Sequence, residues 1–206
     1  MISGRYVYRL DGAVQPIEET FEAAGGRITS RREAAEGAIV LTVEREGATA
    51  LIALDLPDAS ARAEYAGVEP GVVEVRRTVN GERRPDDRVA ARGMLLFPLL
   101  RVFAGDVVRA VAAGGPGGRV VLVPDIRPGC APEDLLAPVL DVRTAEPVGP
   151  PREDLSQAYG YVGGSYEDGA VFRVRPDGLL EAYAWRQPEV GIWEVDLVLD
   201  AESGSD

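Results

Sequence analysis

The sequence predicts a mainly β protein, one domain of antiparallel strands interrupted by a single amphipathic helix. Three observations lead there. Short runs alternate apolar with polar residues, turn residues separate these runs every 8–12 positions or so, and one segment between Leu99 and Ala113 changes its period from two to about 3.6.

In chain order, Tyr6, Tyr8 and Leu10 alternate with Val7 and Arg9, and Asp11-Gly12 supplies a hairpin turn. Ile17, Phe21 and Ala23 then share a face opposite Glu18, Thr20 and Glu22, before Gly25-Gly26 turns the chain again. The runs Ala38–Val43 and Ala50–Leu54 are apolar at nearly every position, which predicts central strands covered on both faces. Ala61–Tyr65 and Val72–Val79 follow, ending at Asn80-Gly81, the strongest short hairpin signal in the chain. Glu82–Arg88 is charged and reads as an exposed loop.

Leu100, Phe103, Ala104, Val107, Val108 and Val111 lie on one helical face, and Arg101, Asp106 and Arg109 point away. Pro98 suits the first turn and Gly114-Gly115 the end, giving a helix over 99–113. Arg119–Val123 is a further strand. The Pro-rich stretch from Pro124 to Pro138 holds a short helical turn at Glu133–Leu136, and Val139–Val148 reads as an edge strand. Four final runs (159–162, 170–175, 179–185 and 192–199) complete the domain over residues 1–200, with Pro176-Asp177-Gly178 joining the middle two. Residues 201–206 read as a frayed tail.

Composition closes off much chemistry. The chain has 206 residues, 46% of them apolar, and a formal charge of −12 from 34 carboxylates and 22 cations. Such a surface repels phosphate backbones and anionic headgroups, so nucleic acid is not an expected partner. All the cations are arginine, and the chain has no lysine and no histidine. A codon bias toward Arg, Ala, Gly and Val accounts for much of this. Its chemical consequence is that Schiff-base and P-loop lysines, Ser-His-Asp triads and imidazole metal ligands are excluded. Cys130 is the only cysteine, so no disulfide forms within the chain and Cys-cluster zinc sites are excluded. No cofactor is expected. No uncharged apolar stretch reaches about 18 residues. Met1-Ile2-Ser3-Gly4-Arg5 enters a strand-like run without the pattern of a signal peptide, so the expected compartment is the cytoplasm.

Three features are candidate sites. The run Gly114–Gly118 follows a helix and precedes a strand, the reverse of a phosphate-binding loop, and reads as a connection. Acid pairs at Asp86-Asp87, Glu133-Asp134, Glu153-Asp154 and Glu167-Asp168 leave carboxylate-based hydrolysis open, although such pairs usually sit in solvated turns. Tyr159, Tyr161, Tyr166, Phe172, Tyr183, Trp185 and Trp193 concentrate aromatic residues in the last quarter. Packing explains most such clusters; alternatively, some line a cavity between a curved sheet and the helix. Met94, Leu96, Phe97, Leu100 and Phe103 would then form its lid, or a plug filling it.

Two segments carry a family resemblance. One runs from Phe97-Pro98-Leu99-Leu100 through Val121-Leu122-Val123-Pro124-Asp125, and the other is the hairpin Gly169–Tyr183 with its Asp177-Gly178-Leu179-Leu180 turn. With the strand meander before them, they resemble bacterial domains related to the LolA/LolB-type lipoprotein carriers, including families described only as glycolipid-binding or of unknown function. The resemblance implies a curved, unclosed antiparallel barrel of about eleven strands, with helices over its mouth and a hydrophobic cavity for lipid.

The expected function is therefore non-enzymatic binding of a hydrophobic or amphipathic, lipid-like small molecule, with Phe97, Leu100, Phe103, Trp185 and Trp193 at the cavity. The alternatives are a protein-interaction domain with a filled core and a carboxylate-dependent hydrolase or lyase. Residues alone name no protein partner.

Overall fold

A computed structural model describes residues 1–35, 37–91, 95–126 and 130–201. Fifteen strands form one antiparallel sheet. In chain order they are β1 (Ile2–Leu10), β2 (Ala13–Ala24), β3 (Arg27–Ala34), β4 (Gly37–Glu46), β5 (Thr49–Asp55), β6 (Ser60–Glu69), β7 (Val72–Val79), β8 (Glu82–Arg83) and β9 (Asp87–Ala90). A 3₁₀ turn (Arg101–Phe103) runs into helix α1 (Ala104–Ala112). Then come β10 (Arg119–Pro124), a second 3₁₀ turn (Pro132–Asp134), β11 (Pro138–Pro147), β12 (Gln157–Gly163), β13 (Tyr166–Val174), β14 (Leu180–Gln187) and β15 (Gly191–Leu199).

The sheet is not closed. Its spatial order runs from β10 to β15, then from β1 to β8, with β9 also pairing with β7. β1 therefore sits mid-sheet between β15 and β2, and joins an N-terminal arm to a C-terminal one. Asp11-Gly12 and Asn80-Gly81, with φ of 49° and 81° and of 51° and 81°, make the expected two-residue turns.

The sequence missed three strands, which accounts for most of the difference between eleven and fifteen. β3 carries Ser30 and Arg32 on its inner face, so it lacks the apolar alternation that marks a strand. β8 and β9 fall within the charged stretch read as a loop. They are held by backbone pairing to β7, which needs no apolar side chain. Nor is β11 an edge strand, since β10 and β12 flank it. The double covering expected for β4 and β5 also fails: their outer face is open, and Leu51 is 46% exposed.

The helix begins later than its apolar period implies. Leu99 has φ +62°, the left-handed region, and Leu100 is extended, so right-handed turns start only at Arg101. The helical turn expected near Glu133 is present as Pro132–Asp134. Ala201 is exposed, and residues 202–206 of the expected tail lie outside the described residues.

One insert fills the concave face of the sheet. Leu95–Phe97 runs parallel to β10: Phe97 N–H donates to Leu122 O at 2.9 Å and Leu122 N–H to Leu95 O at 2.8 Å. That covers the terminal edge of β10, an aggregation-prone feature if left open. Leu96, Leu100, Phe103, Val107, Val108 and Val111 then enter one continuous core with residues from both arms of the sheet. Between β10 and β11, the backbone of residues 133–136 is tied to the opposite arm. Tyr65 Oη donates to Leu136 O at 2.6 Å, and Arg77 Nη1 donates to Glu133 O and Leu135 O at 3.1 Å each. Besides the strand pairing through β1, the two arms are thus joined a second time, through a loop.

Candidate functional site

The filled interior includes a polar junction where the insert crosses the sheet. Strand alternation turns Ile17, Glu19 and Phe21 of β2 inward, and register pairs Glu19 with Tyr6 on one side and Arg32 on the other. Glu19 is 0% exposed. Its Oε1 accepts the backbone N–H of Arg101 at 2.7 Å, and its Oε2 accepts the hydroxyl of Tyr8. One carboxylate thereby pins the start of the helical insert to the sheet. Burial, followed by the charge of Glu19, raises the Tyr8 phenol well above its usual range.

The Arg101 side chain extends into the aromatic cluster that the C-terminal arm supplies. Its Nη1 donates to Tyr166 Oη at 2.9 Å and its Nη2 to Tyr183 Oη at 3.3 Å, with the guanidinium carbon 4.5 Å from the Tyr183 ring centroid. Its Nε is buried without a hydrogen-bond partner. Burial alone would lower the Arg101 pKa, but Tyr166, Tyr183, Tyr8 and Glu19 together hold it above the ordinary value, so the group is a cation. Tyr166 packs edge-on against Phe172 (5.4 Å) and Trp185 (5.1 Å), which fixes the rings around the guanidinium.

A second arginine, this one buried, lines the same cavity. Arg143 pairs with Asp141 at 2.7 Å and donates through Nη1 to Gly163 O at 3.0 Å and Tyr161 Oη at 3.3 Å. Glycine at 164 is required here, because a Cβ would stand 2.3 Å from Arg143 Nη2. Burial raises the Tyr161 phenol to about 12.

Beside these groups lies a cavity of about 170 Å3. Ile39, Phe97, Leu99, Leu100 and Ile126 form its apolar wall, and Arg32, Arg101, Arg143, Ser165 and Tyr166 its polar one. Of the residues expected at a cavity, Phe97 and Leu100 line this one. Phe103, 4% exposed, lies in the core; Leu96 is likewise buried, against Leu122. Trp185 reaches the site only through Tyr166, and Trp193 pairs opposite Trp185 with its Nε1 donating to Gln187 at 2.8 Å. Met94, also expected there, lies outside the described residues.

Glu19, Arg32 and Arg143 went unassigned in the sequence, Tyr166 was named only within the aromatic cluster, and Arg101, expected to point away from the core, instead lines the cavity. For Glu19, Arg32 and Arg143 the available signal was charge at inward-facing strand positions: position 19 falls between Ile17 and Phe21 on the apolar face of its run.

A larger depression of about 770 Å3 lies on the outer face of β4–β7, lined chiefly by Thr42, Glu44, Leu51, Ala53, Arg62, Glu64, Arg76 and Thr78. It is open to solvent. Its charges are matched within the chain, Arg62 to Asp55, Arg76 to Glu64 and Glu74, and Arg83 to Asp86. Volume notwithstanding, the smaller cavity has the concentrated chemistry. Among the described residues no cluster of three or more acidic or cysteine side chains is placed to hold a metal ion, and no helix is long and apolar enough to cross a membrane.

Fold and site together define a rolled antiparallel-sheet protein with an internal insert and an arginine-bearing cavity. No family model, curated protein or solved structure matches the chain.

Proposed function

We propose that this protein is a non-enzymatic binding domain for a small hydrophobic or amphipathic molecule, held between the rolled sheet and the insert. The cavity beside Arg101 carries this reading, with its wall of Phe97, Leu99, Leu100, Ile39 and Ile126 and five polar residues opposite. That combination is the usual form of a small-molecule site. Its volume of about 170 Å3 is below the ~300–1,000 Å3 of clefts that take drug-sized ligands. A lipid-like guest would seat its polar end and first few carbons there. The resemblance to lipoprotein carriers supports the same class of guest.

The test is thermal denaturation and tryptophan fluorescence of the purified protein with hexanol, hexanoate, octanoate and hexylammonium, beside native mass spectrometry of the protein as isolated. At least one amphiphile is expected to raise Tm and to change emission from Trp185, which contacts the cavity wall through Tyr166. No stabilisation, no spectral change and no co-purifying mass would overturn the reading.

A second reading, a protein-interaction domain, draws support from the filled interior and from the open outer face at Leu51. A binding partner whose affinity falls with Leu51→Glu, while Leu100→Phe changes nothing, would favour it.

A further inference from the structure

We propose that the guest of this cavity is a monoanion, a carboxylate with a short apolar tail, whose head binds Arg101; this rests on the binding reading above. Two guanidiniums line the cavity, Arg143 buried and Arg101 half-buried, and they differ in their counter-charge. Arg143 has its own carboxylate, Asp141, at 2.7 Å. Among the described residues, the Arg101 guanidinium hydrogen-bonds only to phenols, those of Tyr166 and Tyr183, and also faces the Tyr8 ring; Glu19 acts on it through space without an ion-pair contact. The nearest acid, Glu19, spends its two oxygens on the Arg101 backbone N–H and the Tyr8 hydroxyl. A guanidinium has five N–H donors, and Arg101 leaves its Nε–H buried and unbonded.

A half-buried cation with no carboxylate in ion-pair contact is costly in proportion to its burial, and its unbonded buried Nε–H adds to that cost. Both are relieved together if a carboxylate enters the cavity, since a planar carboxylate matches the guanidinium fork. The opposite wall of Phe97, Leu100 and Ile126 suits an alkyl tail and gives nothing to a fully hydrated dianion.

Isothermal titration of the wild-type protein with hexanoate, hexanol, hexylammonium and inorganic phosphate tests the inference. Hexanoate is expected to bind at least about tenfold more tightly than hexanol, as a charged hydrogen bond would give. Phosphate should bind more weakly than hexanoate, and hexylammonium should show no heat. In Arg101→Gln the preference of hexanoate over hexanol should disappear. Equal binding of hexanoate and hexanol to the wild type would refute the anion assignment and leave the binding reading intact. Phosphate binding as tightly as hexanoate would refute the apolar tail. Silence from all four ligands would refute the binding reading itself. The wild-type series decides these points even if Arg101→Gln does not fold.

Discussion

At the scale of single residues, Glu19 joins the insert to the sheet. It is buried, and both of its oxygens accept hydrogen bonds, one from a backbone N–H in the insert and one from Tyr8. Replacing it with alanine strands two donors and removes the acid nearest to Arg101. Removing one member of a buried charged network typically costs about 3–5 kcal/mol. Glu19→Ala should therefore lower Tm by roughly 6–20 °C in a chain of this size. Glu19→Gln, which keeps one acceptor, should fall less far. A Glu19→Ala variant within about 1 kcal/mol of wild type in denaturant unfolding would show that the network does not hold the insert. Part of this was legible in the sequence: strict alternation puts position 19 on the same face as Ile17 and Phe21, and a carboxylate there calls for a partner. The partner was not legible. Arg101 is 82 positions away, and only the rolled sheet brings the two together.

Among the elements, helix α1 was readable from its apolar period, whereas its seat on the sheet was not. That seat is the hairpin between β13 and β14. Arg109 Nη1 donates to Pro176 O at 3.0 Å, and a Cβ built on Gly105 would lie 2.1 Å from Gly178 O. In an exposed helix, Gly→Ala is stabilising by about 1 kcal/mol. Here the methyl group meets backbone rather than a flexible side chain, so helix and hairpin must separate. Overpacking of this kind costs about 1–3 kcal/mol. Gly105→Ala is thus expected to destabilise the protein, and the sign of the change in urea midpoint decides the matter: an increase would mean that the helix does not touch the hairpin. The strands show where periodicity stops being informative. β1, β2, β6 and β7 alternate visibly and β4 and β5 are apolar almost throughout, but β3, β8 and β9 are held by backbone pairing with neighbours, and their polar residues hide them. Likewise, nothing in the composition of Leu99 announces its positive φ, which a tertiary constraint imposes.

For the whole molecule, the rolled sheet makes the phenols its principal sensors of high pH. Burial holds Tyr6, Tyr8, Tyr65 and Tyr183 above the ordinary phenol value and raises Tyr161 to about 12. These five come from β1, β6, β12 and β14, so they sample both arms of the sheet. A phenol whose pKa is raised by folding leaves stability intact below its unfolded value, near 10. Above that value the unfolded chain loses protons that the folded chain retains, and stability falls until the folded pKa is reached. Each fully ionised phenol contributes a slope of about 1.4 kcal/mol per pH unit, or roughly 7 kcal/mol per unit for five, against a typical total stability of about 5–15 kcal/mol. With no lysine in the chain and arginine charged throughout, phenolate formation dominates this range. The protein should therefore unfold cooperatively between about pH 10 and 12, with phenolate absorbance and loss of β-sheet circular dichroism rising along one curve. If these five phenols instead titrate smoothly near pH 10 while the sheet signal persists, the interior admits water, and the insert does not fill the roll.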